Sequence, residues 1–228
     1  MEEKFKERIK NYKVIIFDLD GTLINSLPFH LLSFKEVLKE KKVRVNDKKL
    51  KNLIGISTEL IFRQLKKEYK IKESIEELKK RRRVIYFNLI NNKNILFPYT
   101  LKILKKLKKN YKISLATNSS RELLQKTLNK KFLKLFDIII TLEDVKYGKP
   151  SPNQLLFIKR ILHLQREECL FIGDSKYDAI AAKKAGIDFI GLTTGFTSKK
   201  ELLIFGAKKV FSSLKEIDNY LKPENNKK

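Results

Sequence analysis

Residues 13–26 read KVIIFDLDGTLINS. A short apolar run with β-branched residues, closed by turn-forming residues, predicts a buried strand over Val14–Phe17. The run ends on two carboxylates, Asp18 and Asp20, followed by Gly21 and Thr22. If strand geometry continues, residues two apart point to the same side, so both acids face one crevice. Gly21 permits a turn that other residues adopt only with strain, and Thr22 offers a hydroxyl and a main-chain N–H.

Working outward, short apolar runs alternate with amphipathic helical stretches, the pattern of a parallel sheet covered by helices. Further strands are predicted at Ile113–Thr117, Ile138–Thr141, Leu170–Ile172 and Ile187–Leu192, with a short sixth at Lys209–Phe211. Helix starts are readable at Ser119 or Ser120, and at Ser175, whose helix stops at Gly186. Ser151 with Pro152 and Gln154 reads as a third start, with a capping-box partner. The fold class is therefore α/β, a doubly wound parallel sheet. One interval breaks the alternation. Almost all of 23–97 lacks a convincing strand, while Pro28–Glu40, Thr58–Tyr69 and Glu73–Asn91 have helical periodicity. A crossover needs only about a dozen residues, so 23–97 is expected to be a helical cap inserted into a core of 1–22 and 98–222, with a disordered tail at 223–228. The loop "LIGIST", carrying Gly55, is expected to face the crevice.

The 228 residues are 42% hydrophobic, enough for a sizeable core. No run is long and apolar enough for a membrane span. MEEKFKERIK has no apolar segment of signal type, and the lone Cys169 suits a reducing compartment. A cytoplasmic protein, monomeric or weakly dimeric, is expected. There are 51 basic against 26 acidic residues, a net charge of +25. No nucleic-acid motif accompanies that charge, and most lysines fall on solvated helix faces, so no specific nucleic-acid partner is expected. The one compact arginine cluster is Arg81–Arg83, within a helical stretch.

In an open parallel sheet, functional groups collect beyond the carboxyl ends of the strands. Four predicted ends here are polar: Asp18 with Asp20, Thr117 with Asn118, Lys149 in "YGKPSP", and Asp174-Ser175 with Asp178 a turn further on. Each alone reads as a cap or turn. Together they converge several carboxylates, which raise one another's pKa unless a cation neutralises them. Lys149 supplies one charge, and a hard divalent ion such as Mg²⁺ suits oxygen ligands. A strand-tip carboxylate can act as a nucleophile toward phosphorus, and its neighbour can serve as general acid and base. Thr117 and Asn118 before a helix N-terminus add donors for phosphate oxygens.

In these residues the chain resembles the haloacid dehalogenase superfamily, in its phosphatase branch with a helical cap. "DLDGT", "ATNSS", "GKPSP" and "GDSKYDAIAAKKAG" stand in the order of that family's motifs and span nearly the whole chain. The resemblance implies that Asp18 is nucleophile and metal ligand. It makes Asp20 the acid/base, with its carbonyl on the metal, Thr117 and Lys149 the phosphate holders, Asp174 a metal ligand and Asp178 a support of the metal shell. Asn25 and Asn153 stand where the family often has acids. The closing segment GLTTGFTSKKELLIFGAKKVFSS is similar to that of phosphoglycolate phosphatases and their pyrophosphatase relatives. "SLPFH" resembles a loop where sugar-phosphate enzymes place a histidine, so His30 either touches substrate or is a helix-face histidine by the hinge; His163 is expected to be structural. The implied activity is Mg²⁺-dependent hydrolysis of a small phosphorylated metabolite, phosphoglycolate- or sugar-phosphate-like. A phosphosugar mutase of the beta-phosphoglucomutase type and an inorganic pyrophosphatase are the alternatives.

Overall fold

The computed structural model describes residues 2–221, so the expected disordered tail lies outside the described residues. Among them, α1 (Glu2–Ile9) leads into β1 (Val14–Phe17). Four helices follow: α2 (Leu27–Glu40), α3 (Asp47–Leu53), α4 (Thr58–Tyr69) and α5 (Ile75–Ile90). The chain then alternates through α6 (Thr100–Leu107), β2 (Lys112–Ala116), α7 (Arg121–Thr127), α8 (Lys130–Leu133) and β3 (Ile138–Ile140). It continues with α9 (Asn153–Ile161), β4 (Cys169–Gly173), α10 (Lys176–Ala185), β5 (Asp188–Leu192), α11 (Lys199–Ile204), β6 (Lys209–Phe211) and α12 (Leu214–Tyr220). The strands form one parallel sheet in the order β3-β2-β1-β4-β5-β6. This is a Rossmann-like sheet with β1 at its centre, paired to β2 and β4.

Side chains on β1 alternate between two cores, as a strand buried on both faces requires. Ile15 and Phe17 pack with Phe5, Leu104, Leu124, Phe132 and Ile217, from α1, α6, α7, α8 and α12. Val14 and Ile16 face the other layer, with Leu155, Ile158, Ala179, Ala182 and Leu202 from α9, α10 and α11. The inserted helices have a core of their own around Phe34, Leu38, Leu50, Phe62, Leu65 and Leu78. Each such side chain, fully buried, contributes about 1.5–3 kcal/mol.

Most predicted elements match within one or two residues. Strand β2 ends at Ala116, which frees Thr117 to begin the loop after it. Two helices, α1 and α3, carry no periodic signal long enough to read. The capping box at Ser151 and Gln154 does not form. Helix α9 starts at Asn153 with no side-chain cap. Gln154 is instead buried, and its Nε2 donates to the Thr117 carbonyl at 2.6 Å. A buried amide N–H seeks an acceptor, which the Thr117 carbonyl supplies, while Gln154 Oε1 is buried without a hydrogen-bond partner. Ser120, not Ser119, caps α7. Ser175 caps α10 in a capping box with Asp178, and Gly186 closes that helix in the left-handed region. His163 is exposed just beyond α9.

The chain leaves and re-enters the sheet side by side. Asn25 N–H donates to Ile95 O at 2.7 Å, and Phe97 N–H to Leu23 O at 3.1 Å. The two linkers thus run antiparallel as a short ribbon between the sheet and the inserted helices.

Candidate active site

Strand register brings Asp18, Thr117 and Gly173-Asp174 to the same end of the sheet. Phe17 lies opposite Leu115 on one side and Ile172 on the other. The residues following each partner therefore meet at the carboxyl edge. Over that edge the helices α2–α5 close a cavity of about 320 Å³.

The floor of the cavity is a cluster of buried charge. Carboxylate oxygens of Asp18, Asp174 and Asp178 lie within 4.8 Å of one another. Lys149, 2% exposed, bonds Asp18 through Nζ and donates to the Ala116 carbonyl at 3.0 Å. Its Nζ is also 2.7 Å from Asp178 Oδ1, an ion-pair contact without hydrogen-bond geometry. Burial alone would lower the Lys149 pKa, but Asp178 and Asp18 hold it above its ordinary value. Burial pushes the Asp18 carboxyl up to about 7, against the opposing pull of Lys149. Burial, Asp18 and Asp178 push Asp174 well above the usual carboxylate range. One ammonium thus faces three acids, and two of the acids resist ionisation. All-oxygen donors with surplus negative charge fit a hard divalent cation, and Asp18, Asp174 and Asp178 are the side chains that could hold it.

Backbone packing holds this geometry. Gly21 has φ +87°, and a Cβ there would lie 2.5 Å from Asp174 Oδ2. At Gly195, in the loop after β5, a Cβ would lie 1.9 Å from the same oxygen. Asp174 is therefore walled in by two main-chain segments that only glycine allows so near. The Thr22 hydroxyl donates to Asp174 Oδ1 at 2.8 Å, and Thr194 Oγ1 to the Gly21 carbonyl at 2.5 Å.

Asp20 sits apart from that cluster. Its Oδ1 accepts from the Ser26 hydroxyl at 2.6 Å and lies 2.9 Å from His30 Nε2. Its Oδ2 accepts from Ser119 at 2.7 Å. Burial would raise Asp20, but His30 and these hydroxyls hold it well below the usual carboxylate range. The two acids of the opening motif thus occupy opposite electrostatic environments. His30 in turn meets Arg82 of α5, whose NH2 is 2.5 Å from Nδ1. A guanidinium only donates, so Nδ1 is the acceptor, and Nε2 carries the hydrogen toward Asp20. Burial lowers the His30 pKa, consistent with a neutral ring. The ring also stacks on Tyr86 of α5, centroids 4.4 Å apart.

The structure brings Asp18, Asp20, Lys149, Asp174 and His30 to the cavity, whereas Thr117 is fully buried just after β2, does not line the cavity, and accepts from Ser119 N–H through Oγ1 at 3.0 Å. Asn118 lines it too, but its amide is spoken for. Nδ2 donates to Gly55 O and Lys149 O, both at 2.8 Å, and Oδ1 accepts from Lys149 N–H at 2.9 Å. The side chain straps the "LIGIST" loop to the lysine segment. Sequence reading did not find Ser26 and Ser119 as donors to Asp20, nor Arg82. The only signal for Arg82 was the Arg81–Arg83 cluster.

Comparison with known proteins agrees with this geometry. A family model described as haloacid dehalogenase-like hydrolase matches residues 15–192. The phosphoglycolate phosphatase of Colwellia psychrerythraea is 27% identical over 219 residues, covering 92% of this chain and 97% of its own. A phosphorylated carbohydrates phosphatase of Thermotoga maritima is 29% identical, covering 90% of this chain and 99% of its own. The crystal structure of a hydrolase from Pseudomonas syringae superposes with a TM-score of 0.82 at 30% identity, over 92% of this chain and 97% of that one.

Proposed function

The chain belongs to the haloacid dehalogenase-like hydrolases, and from that premise we propose that it is a Mg²⁺-dependent phosphatase acting on a small phosphomonoester, phosphoglycolate- or sugar-phosphate-like. The observation that carries this reading is the separation of the two acids. Asp18 stands with Lys149 among the carboxylates, whereas Asp20 is held apart by Ser26, Ser119 and His30.

Phosphoryl transfer asks a protein mainly for positioning and charge neutralisation. Lys149 and the main chain at Asn118 orient the phosphoryl group over Asp18. An Asp18 oxygen attacks phosphorus, a new P–O bond forms, and the ester P–O bond breaks. The leaving oxygen takes a proton from Asp20, so Asp20 enters this step protonated; its hydrogen bonds at rest favour the carboxylate, and the proton comes in with the phosphate monoanion of the substrate. Water then attacks phosphorus of the aspartyl phosphate, Asp20 takes its proton, and Asp18 leaves as a carboxylate. Asp18 and Asp174, with Asp178 in support, would hold a divalent ion, which when bound would supply charge neutralisation for the phosphoryl group. Helices α2–α5 act as a lid on the ribbon at 22–26 and 94–98. Water must stay out during the first step and enter for the second, which a hinged lid permits.

The test is hydrolysis of a panel of phosphorylated metabolites with Mg²⁺ and with EDTA. EDTA is expected to abolish turnover and Mg²⁺ to restore it. Asp18→Asn should fold normally and lose at least about a thousandfold in kcat, the scale seen for removed nucleophiles. Full activity in EDTA, or a folded and active Asp18→Asn protein, overturns the proposal. An isomerised sugar phosphate as product, in place of inorganic phosphate, would establish the mutase alternative.

A further inference from the structure

The arginine cluster at 81–83 divides three ways. Arg81 forks onto Glu40 of α2, within the cap, at 2.7–3.0 Å. Arg83 pairs with Glu122 of α7, across the mouth of the cavity. Arg82 lies between them, 4% exposed, and lines the cavity. Among the described residues no carboxylate pairs with it directly. Its NH1 donates to the Thr58 hydroxyl at 2.9 Å, its NH2 faces His30, and its Nε is buried without a hydrogen-bond partner. Its flat face rests on the Phe34 ring at 4.0 Å.

A buried cation held only by neutral acceptors is unfavourable and calls for an anion. The other cap cations facing the cavity are already matched: Lys79 lies 2.7 Å from Glu76 and 3.8 Å from Glu59, and Arg83 is on Glu122. Of these three cap cations, Arg82 is the one without a carboxylate partner among the described residues, and its buried Nε has no hydrogen-bond partner. Its place gives the position of the missing anion. Asp20 marks where the leaving oxygen sits, and His30 joins Asp20 to Arg82. A group one or two bonds beyond that oxygen therefore comes opposite the guanidinium. The planar fork suits a carboxylate or phosphoryl group and discriminates against a hydroxyl.

Resting on the phosphatase reading above, we propose that Arg82 is the receptor for a second anionic group on the leaving side of the substrate. The substrate class is thereby a phosphoryl compound, ester or anhydride, whose leaving group is short and negatively charged. Thr58 and Phe34 fix the plane of the guanidinium, so recognition comes from a preset donor array.

The experiment compares three substrates in one protein: 2-phosphoglycolate, its neutral counterpart 2-hydroxyethyl phosphate, and pyrophosphate. The wild-type kcat/KM is expected to favour an anionic member over the neutral one by about tenfold to a hundredfold, the range of a hydrogen bond to a charged group. Whichever of carboxylate and phosphoryl is preferred identifies the second anion. Arg82→Gln should collapse this ratio toward one, whatever it does to all the rates together, and Arg82→Lys should recover part of it. Equal wild-type rates on charged and neutral members overturn the proposal without recourse to any variant. So does an Arg82→Gln enzyme that slows every substrate by the same factor, because Arg82 would then only position His30. If the wild type hydrolyses none of the three or any other phosphate ester, the phosphatase reading itself fails and the proposal falls with it.

Discussion

The floor and the roof of the cavity are built on opposite plans. The floor is anionic, buried and fixed by strand register: Asp18, Asp174 and Asp178 share one ammonium, and glycine backbones close around Asp174. The roof is cationic and apolar, with Arg82 and Arg83 set beside Phe34, Ile54 and Ile56. Polar links to the floor include the Asn118 strap to Gly55, the Tyr177 hydroxyl donating to Asn52 O at 2.7 Å, the pair Arg83–Glu122, and the Asp20–His30–Arg82 chain, beside an apolar contact of Tyr86 and Ile90 on Leu123 of α7. A reaction that must neutralise a phosphoryl group needs rigid ligands, and a strand tip provides them. Selecting and releasing a leaving group needs a surface that moves, and in the function proposed above the helices on the ribbon take that part. On that proposal chemistry and choice sit on different elements.

The most damaging change to the floor is loss of its one cation. In Lys149→Met the three acids lose their internal counter-charge. Breaking a buried ion pair costs about 3–5 kcal/mol, so urea unfolding in EDTA should show a loss of that order. Mg²⁺ should recover part of the stability, since a divalent ion takes over the neutralisation, but activity should stay lost because the phosphate contact is gone. A Lys149→Met protein as stable as wild type in EDTA would show that the floor is not held under charge repulsion. A smaller effect is expected for Asn118→Ala, which cuts the strap between the two regions. The lost bonds contribute about 1–3 kcal/mol. Amide exchange over residues 54–57 should quicken, while strand β1 exchanges as before. Unchanged exchange over 54–57 would mean the roof is held by other contacts.

The same division explains what could be read from the sequence. The floor was legible because its residues follow apolar strands directly, so local pattern places them: Asp18 after VIIF, Asp174 after CLFIG. Parallel register does the rest without any further coding. The insertion was legible as helices, since Phe34, Phe62 and Leu65 recur at helical spacing in their segments. What the roof does was not. Arg82 sits among Lys79, Lys80, Arg81 and Arg83, and nothing local distinguishes the one buried guanidinium from its solvated neighbours. Its burial depends on Phe34 and Tyr86, one of them on another helix, a tertiary fact. The partners of Asn118 and Gln154 were hidden for the same reason: Asn118 reads as a donor beside phosphate and Gln154 as a capping-box partner, and the Nδ2 and Nε2 groups of the two donate to main-chain carbonyls distant in sequence.

The smallest expected effect tests whether the two regions communicate through charge at the rim. Arg83 and Glu122 are each roughly two-fifths exposed, at 43% and 40% of their side-chain surface. An exposed pair of this kind is worth about 0–1 kcal/mol, because water screens it and two long side chains must be ordered to form it. Glu122 is also shared with Lys126 of its own helix at 2.9 Å, which weakens the dependence on Arg83 further. If the pair only helps hold the roof shut, Arg83→Gln and Glu122→Gln should each change kcat/KM by less than about fivefold. The change should be the same for charged and neutral substrates, the double variant should be no worse than either single one, and the differences should vanish near 1 M salt, where the screening length is about 3 Å. A different pattern would redraw the comparison. If Arg83→Gln alone slows anionic substrates much more than Glu122→Gln does, Arg83 leaves Glu122 to meet the substrate. The roof would then present two arginines to the leaving group, and the mouth of the cavity would belong to recognition rather than to closure.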